Sequence, residues 1–202
     1  FAEFAECFGI KADKNKLFST LYQKAMEGDK DCGGMIACNY YSGEPVTGLE
    51  EGRPMFLRRP DSHLGLANFM RSHLYASLAT LKIGLDILLK EEDVKIDSIT
   101  GHGGLFKTKG VGQSILAAAM NAPISVMETA GEGGAWGMAL LAAYMLSKKD
   151  GQSLGDYLDS RIFAERKSET MEPDLADVAG FETYTKQYQA CLAAEKAAVQ
   201  AF

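Results

Sequence analysis

Long apolar runs are absent from this 202-residue sequence, and basic residues are not in excess. No run approaches the roughly 20 apolar residues that a membrane-spanning helix needs. Lysine and arginine number 21 against 27 aspartates and glutamates, which gives a formal net charge of −6. Nucleic acids and acidic membranes attract basic surfaces. We therefore expect no nucleic acid and no membrane as a partner, and a cytoplasmic location.

Cysteine is scarce, and the four cysteines form no recognisable motif. They are Cys7, Cys32, Cys38 and Cys191. No two of them have C-x-x-C spacing, and no histidine stands beside them at the spacing of a zinc ligand. This pattern is typical of reduced thiols in a cytosolic protein. We therefore expect neither a disulfide framework nor a metal site in this chain.

Hydrophobic periodicity predicts alternating helices and strands in the middle of the chain. The clearest helix covers 72–90, where leucines recur at helical spacing and Ser72 is placed to cap its start. Two further helices, over 112–120 and 135–147, each follow a short strand and a glycine-rich turn. An order of helix, strand, helix, strand, helix is typical of the α/β class.

The flanks of this region are less regular. Residues 1–28 have helical periodicity with one break, and MIACNYY (35–41) is typical of a buried strand. The many turn-forming residues in 42–65 and 150–180 predict irregular structure there. From Phe181 onward, the apolar spacing predicts an amphipathic helix to the end of the chain.

The two glycine-rich turns, GHGGLFKTKGVGQ (101–113) and TAGEGGAWG (129–137), resemble nucleotide loops but fit no common template. A P-loop, G-x-x-x-x-G-K-[ST], needs its second glycine where Phe106 or Thr108 stands. A dinucleotide turn, G-x-G-x-x-G, needs its third glycine at Phe106. The second turn fails this test as well, because its last glycine comes one residue late. Both templates are therefore excluded.

The two turns still have the properties of a ligand site. Glycines at the end of a strand let the backbone approach a ligand without interference from a Cβ atom. The helix that follows presents unpaired N–H groups, and Lys107 and Lys109 add positive charge. Turns on adjacent strands would open at one edge of the sheet, where ligands bind in open α/β folds. Tight strand-to-helix turns without a ligand stay open as the alternative.

Several motifs in this region resemble those of the FGGY family of carbohydrate kinases, in the same order. The family carries T-G-G-G-A-K-S-x-x-W-x-Q-x-x-A-D-x-x-x-x-P-V, followed by E-x-x-A-x-G-A-A-x-x-A. The matching residues are Thr100, Gly103, Gly104, Lys107, Thr108, Gln113, Ala117, Pro123, Glu132, Ala135, Gly137, Ala139 and Ala142. Upstream, YYSGEP (40–45) is similar to the family's G-E-R segment, and His73 and Asp86 match its long helix.

The resemblance implies an α/β fold of the ribonuclease-H-like, actin-like ATPase type. It implies that residues 1–202 are the C-terminal, nucleotide-binding half of a two-domain sugar kinase, and that ATP and Mg²⁺ are the cofactors. Gly103, Gly104 and Thr108 match the positions that contact adenosine, and Gly133 and Gly134 would complete the pocket wall. Gln113 and Glu132 are interpreted as residues that orient the turns.

The family's catalytic base, its phosphate loops and most of its sugar site have no match in this sequence. We therefore expect no catalytic residue and no metal ligand in this chain. We expect a fragment that lacks the N-terminal sugar-binding domain, and we expect the isolated chain to be inactive. His63 is interpreted as a loop residue and His73 as the source of a structural hydrogen bond. His102 is a candidate for lining the pocket, and Trp136 is interpreted as a core or interface residue.

Within the family, the amino-acid sequences of the two turns are most similar to those of bacterial xylulose kinases. This resemblance implies phosphorylation of D-xylulose to xylulose 5-phosphate. A kinase for ribulose or another pentulose or hexulose stays open, and so does a homodimer. A non-catalytic regulatory domain that kept the fold without ATP is a further alternative. Its support is the departure from the family pattern at Leu105, Phe106 and Val111.

Overall fold

The computed structural model describes residues 1–96, 98–127, 133–164 and 168–201. Helices in these ranges are α1 (Ala2–Cys7), α2 (Lys14–Ala25), α3 (Leu66–Lys90), α4 (Val111–Met120), α5 (Gly133–Ser147), α6 (Leu154–Tyr157) and α7 (Leu175–Ala201). The strands are β1 (Met35–Cys38), β2 (Met55–Arg58), β3 (Ile99–Gly101), β4 (Ile124–Met127) and β5 (Ser168–Met171). A single π-helical turn, Leu158–Phe163, continues α6.

The strands form two separate sheets. β1 and β2 pair antiparallel, while the second sheet has the order β3-β4-β5. In that sheet β3 runs parallel to β4, and β5 runs antiparallel to β4. A parallel pair needs a crossover connection, and α4 supplies it. This helix and sheet arrangement confirms the predicted α/β class and places the ends of β3 and β4 at one edge of the sheet.

The core lies where α3, α4 and α7 pack against β1 and β4. Every residue of α4 except Ser114 is buried, and its three successive alanines let its neighbours approach closely. Tyr75 of α3 packs against Phe181 and Tyr184 of α7, with ring centroids 4.5 Å and 5.3 Å away. The hydroxyl of Tyr184 donates a hydrogen bond to the carbonyl oxygen of Ser72 at 3.1 Å. Aromatic packing therefore joins the two longest helices.

Two short strands lie in segments whose sequence predicts irregular structure. β2 falls within 42–65 and pairs with β1 along its whole length, from Met35 opposite Arg58 onward. β5 falls within 150–180, and its polar sequence SETM becomes a strand because β4 offers it an edge. The pairing partners are far away in sequence, so local patterns cannot reveal them.

Both long helices begin earlier than the apolar periodicity predicts. α3 begins at Leu66, and Ser72 is not its cap: the Ser72 hydroxyl donates to the carbonyl oxygen of Phe69 inside the helix, at 2.8 Å. α7 begins at Leu175, where the carboxylate of Asp174 accepts hydrogen bonds from the N–H groups of Ala176 and Asp177, both at 3.0 Å. The Asp174 cap therefore extends α7 beyond its apolar stripe, while α3 begins at Leu66 without a side-chain cap.

The cysteines differ in their surroundings. Cys7 is exposed and Cys191 is half-buried, while Cys32 and Cys38 are fully buried. Burial raises the pKa of the Cys38 thiol to about 12. In the part of the chain that the structure describes, no helix combines the length and apolar character that crossing a membrane requires.

Candidate functional site

The first glycine turn begins where β3 ends. Gly103 has a φ of +107°, in the region that favours glycine, and a single 3₁₀ turn, Gly104–Lys107, follows it. Gly110 precedes α4 with a φ of +80°. A residue with a Cβ atom would be strained at either position, so both turn conformations depend on glycine.

The second glycine turn meets the first across a cleft of about 340 Å³, here called the glycine cleft. Its lining residues are His102, Gly103, Gly133, Gly134, Trp136 and Gly137. The two turns approach closely, since a Cβ atom on Gly133 would lie 3.0 Å from the Cβ atom of His102. The expectation that both turns open at one edge of the sheet is therefore confirmed for the described residues. Gly131 and Glu132, also part of the predicted turn, lie outside them.

The glycine cleft has bare backbone on its walls. A Cβ atom added to Gly103, Gly134 or Gly137 would meet no other atom within 4 Å, so these positions border open space. The first turn of α5 also contributes backbone N–H groups that have no partner within the helix. This surface fits a ligand that lies against the main chain, such as the adenosine part of a nucleotide.

A second cleft, of about 440 Å³, lies beside the first glycine turn and is here called the threonine cleft. Its lining residues are Phe106, Thr108, Lys109, Gly110, Gln113, Val126, Met127, Ser168 and Glu169. Thr108 is only 9% exposed, and its hydroxyl has no hydrogen-bond partner among the described residues. At the surface of this cleft, the Lys109 ammonium lies 3.1 Å from a carboxylate oxygen of Glu169.

Four of the five residues predicted to contact ATP line one of two neighbouring clefts. Gly103, Gly133 and Gly134 line the glycine cleft, and Thr108 lines the threonine cleft. Gly104 is exposed on the turn that separates them. The structure brings three of the predicted residues together and places the other two beside them on the same turn.

Gln113 holds the sheet together behind these clefts. Its side-chain amide donates hydrogen bonds to the carbonyl oxygens of Ile124 on β4 and Glu169 on β5, each at 2.7 Å. The side chain is buried, so both of its N–H groups are fully used. Gln113 therefore joins β4 to β5, and its predicted role in orienting the glycine turns stays a prediction.

Two departures from the family pattern have a structural explanation. The ring of Phe106 occupies the space beside Gly101, where an added Cβ atom would lie 2.3 Å from it. Leu105 packs in the same way against Gly112, with its Cγ atom 2.7 Å from an added Cβ atom. Neither residue lines the glycine cleft.

Of the three histidines, only His102 lies at the glycine cleft. The Nδ1 atom of His63 lies 3.1 Å from a carboxylate oxygen of Asp29, in a surface loop. His73 packs against the rings of Phe56 and Phe69, and burial lowers its pKa. His63 therefore lies in a loop, as predicted, while His73 is held by ring packing where the sequence predicts a structural hydrogen bond.

Trp136 lies at the glycine cleft and not in the core. It is half-buried, and its ring centroid is 6.0 Å from that of Phe163. His102 and Trp136 are the two cleft residues that are not glycines among the described residues. The signal that pointed to them was their position inside the two glycine-rich turns.

The described residues include no group of three or more histidine, cysteine, aspartate or glutamate side chains able to hold a metal ion. The described residues that line the glycine cleft include no carboxylate, while Glu128 and Glu132 lie outside the described residues. The described residues therefore supply no set of magnesium ligands.

Comparisons with known proteins identify the family. The sequence profile of the FGGY family of carbohydrate kinases, C-terminal domain, matches residues 2–146, which is more than half of the chain. The chain therefore belongs to this family. Among curated protein sequences it has no significant match.

Solved structures of three sugar kinases have a similar fold. Xylulose kinase from Rhodospirillum rubrum is 18% identical with a TM-score of 0.62, and the alignment covers 90% of this chain and 34% of that one. Gluconate kinase from Lactobacillus acidophilus is 19% identical with a TM-score of 0.64, covering 86% and 34%. Glycerol kinase from Plasmodium falciparum, solved with ADP, is 18% identical with a TM-score of 0.57, covering 88% and 33%.

These likenesses confirm the predicted fold, which is the α/β fold of the actin-like ATPases. The chain spans about a third of the length of the three solved structures. At these identities the similarity establishes the fold alone, and the sugar differs between the three kinases.

Proposed function

We propose that this chain is the nucleotide-binding part of an ATP-dependent carbohydrate kinase. The observation that carries the proposal is the glycine cleft, where the turn after β3 and the start of α5 present bare backbone in a chain of the FGGY family. In this proposal Gly103, Gly133 and Gly134 bind the adenosine part of ATP from one side. Gly104 and Thr108 bind it from the turn between the clefts. A glycerol kinase with the same fold binds ADP.

The reaction is phosphoryl transfer from ATP to a sugar hydroxyl. ATP supplies the phosphoryl group, and the residues of this chain bind and orient the nucleotide and exclude water from one side of it. A general base must take the hydroxyl proton. No such base is assigned among the described residues, so the base, the magnesium ligands and most of the sugar site belong in this proposal to a separate N-terminal domain.

This division of labour is supported by the lengths of the neighbouring kinases, which are about three times that of the matched region. We therefore propose residues 1–202 as one C-terminal domain and expect no turnover by it alone. A phosphorylation assay of the isolated chain with xylulose and ATP checks this, and clear turnover would contradict it. The cytoplasm is the compartment that we propose for the kinase.

D-Xylulose is the substrate that we propose, with xylulose 5-phosphate as the product. Two observations support this substrate: the amino-acid sequences of the two glycine turns, and the xylulose kinase among the solved structures with a similar fold. Ribulose and other pentuloses and hexuloses are the alternatives, because folds of this kind serve several sugars. A sugar screen with the complete kinase decides between them: preferred turnover of another sugar would replace xylulose.

Nucleotide binding is tested by calorimetry with ADP on the 202-residue chain. The informative variant is Gly134→Leu, because Gly134 lines the cleft and an added Cβ atom there meets no other atom within 4 Å. We expect its affinity for ADP to fall by about tenfold or more, which corresponds to about 1.4 kcal/mol or more. Ala139→Leu, at an exposed position of the same helix outside the cleft, is the matched control and should bind ADP normally.

The same experiment separates the kinase from the regulatory alternative. ADP binding that Gly134→Leu weakens and Ala139→Leu preserves supports the kinase proposal. Absence of ADP binding by the unaltered chain would overturn it and favour a domain that kept the fold without the nucleotide.

A further inference from the structure

The helix α5 is uncharged along its whole length. Its sequence, GGAWGMALLAAYMLS, contains no aspartate, glutamate, lysine, arginine or histidine. A helix that is hydrophobic all round is ordinarily buried inside a protein. None of the 15 residues of α5, however, is buried in the part of the chain that the structure describes. The composition of α5 therefore calls for a covering surface.

One side of α5 leans on the segment that follows it. The ring of Tyr144 packs against that of Tyr157, with centroids 5.4 Å apart, and its hydroxyl donates to the carbonyl oxygen of Gln152 at 2.7 Å. Trp136, eight residues before Tyr144 and so on the same side of the helix, packs against Phe163. These contacts fix which side of α5 faces its own chain.

The opposite side, here called the methionine face, consists of Met138, Leu141, Met145 and Leu146. The four side chains are 69%, 44%, 77% and 90% exposed. Spacings of three and four residues place Met138, Leu141 and Met145 in one row along the helix. A contiguous exposed patch of large apolar side chains is typical of a surface that binds another protein surface.

We propose that the N-terminal domain of the same kinase docks on the methionine face, through an uncharged, apolar surface of its own. The proposal rests on the proposed function, which assigns the general base and most of the sugar site to that domain. Chain length supports this occupant. The matched region is about a third of each related kinase, so about two thirds of such a protein is available to cover α5.

The position of α5 favours this occupant over a second copy of the chain. The helix begins at Gly133 and Gly134, which line the glycine cleft. A domain that covers α5 therefore lies beside the proposed nucleotide, where phosphoryl transfer requires a general base and a sugar hydroxyl. A second copy would cover the same apolar surface, but no base is assigned among its described residues either.

Methionine oxidation tests the docking in the complete kinase. Of the nine methionines in the sequence, Met138 and Met145 are the two that are exposed, so both natural probes lie on the methionine face. Hydrogen peroxide converts an accessible thioether to the sulfoxide, and mass spectrometry locates the product. The control is a methionine introduced by Leu175→Met at the start of α7, where the side chain is 78% exposed.

We expect Met138 and Met145 to be oxidised more slowly than this control by about tenfold or more, because oxidation then requires the two domains to separate. The measurement uses the kinase without substitutions on α5, so it does not depend on the folding of an α5 variant.

Met145→Glu tests the same contact through activity, because it places a charge in an apolar interface. We expect turnover of the sugar preferred in the screen to fall by about tenfold or more, and oxidation of Met138 to accelerate. The Kd for ADP should stay close to that of the unaltered kinase, since Met145 lies roughly 16 Å along the helix from Gly134. Leu175→Glu is the matched control and should retain turnover, and circular dichroism establishes that both variants are folded.

The outcomes separate this proposal from the proposed function. Oxidation of Met138 and Met145 at the rate of the control methionine would overturn the docking and leave the proposed function standing. Equal losses of turnover in Met145→Glu and Leu175→Glu would do the same. Protection that disappears on dilution, with a dimeric mass in ultracentrifugation, would assign the methionine face to a second copy and overturn the N-terminal domain as its occupant. Protected methionines in a complete protein that binds no ADP would overturn the proposed function and leave the docking standing.

Discussion

Arg71 of α3 and Asp177 of α7 form an ion pair in the protein interior, with side chains 1% and 8% exposed. The guanidinium also donates from Nε and Nη2 to the hydroxyl of Tyr75, at 3.1 Å and 2.8 Å. Burial disfavours the charged guanidinium, but Tyr75 and Asp177 more than compensate, so the pKa of Arg71 is raised. From the solvent side, Lys30 contacts the same carboxylate at 2.8 Å. This pair joins the two longest helices of the fold.

Asp177→Ala should destabilise the protein strongly, because it leaves the Arg71 guanidinium buried without a counter-charge. Removal of one partner of a buried pair costs about 3–5 kcal/mol. Urea denaturation measures the change in the free energy of unfolding. Lys30→Ala is the control, since Lys30 is half-exposed and an exposed pair contributes about 0–1 kcal/mol. Equal effects of the two substitutions would contradict the assignment of the buried pair.

Gly101→Ala should destabilise the turn after β3, because the new methyl group would lie 2.3 Å from the ring of Phe106. Overpacking of this kind costs about 1–3 kcal/mol. The double variant Gly101→Ala/Phe106→Leu should lose less stability than the sum of the two single changes. Thermal unfolding of all four proteins gives the coupling energy, and additive effects would show that Phe106 does not require the glycine.

Gln113→Met should loosen β5 from β4, since two carbonyl oxygens lose their side-chain donor. Each lost hydrogen bond costs about 0.5–1.5 kcal/mol, and more where the carbonyl stays buried. Hydrogen exchange measures the effect: protection should fall for amides of β4 and β5. Ser114→Ala, on the one residue of α4 that is not buried, is the control and should leave their exchange unchanged.

Asn68→Ala should alter the acid sensitivity of the contact between the end of α2 and α3. The Asn68 amide donates to the carboxylate of Asp29 at 2.9 Å. This hydrogen bond, followed by that from His63, holds the pKa of Asp29 below its ordinary value of 3.8. A depressed pKa stabilises the fold above the pKa of the unfolded state, and this contribution is lost as the pH falls through the folded value.

In Asn68→Ala the pKa of Asp29 should therefore rise. The contribution of Asp29 to the difference in unfolding free energy between the variant and the unaltered protein should shrink as the pH falls below about 4. NMR titration of the carboxyl carbon measures the pKa directly. Asp86 serves as the internal control: burial raises its pKa, but hydrogen bonds from Lys82 and Lys90 outweigh this and lower it. A pKa of Asp29 that stays unchanged in the variant would contradict the assigned cause.

Local sequence patterns were sufficient to predict the helices and strands that depend mainly on neighbouring residues. α4 covers Val111–Met120, close to the predicted range 112–120, and Asn121 after it has a left-handed φ of 47°. β1 and β4 were predicted from short apolar runs. β2 and β5 were not, because each becomes a strand only through a partner that lies far away in the chain.

At the candidate site too, sequence patterns predicted the glycine turns but not the contacts between distant segments. Their spacing and the motif order predicted two loops at one sheet edge, and the parallel pairing of β3 and β4 confirmed it. The division of the predicted residues between two clefts was not predictable, because it depends on how the turn from Gly103 to Thr108 folds back on the sheet. The position of Trp136 at the cleft depends in turn on how α5 starts beside His102.

The sequence by itself determined the family, the α/β class and the positions of the two glycine turns, because motif spacing and hydrophobic periodicity are properties of the chain's order. Tertiary structure alone decided which residues share a cleft and which charges are buried together. It also decided that Phe106 turns toward Gly101 and not toward the glycine cleft. These depend on contacts between segments distant in sequence, where packing and burial override local preference.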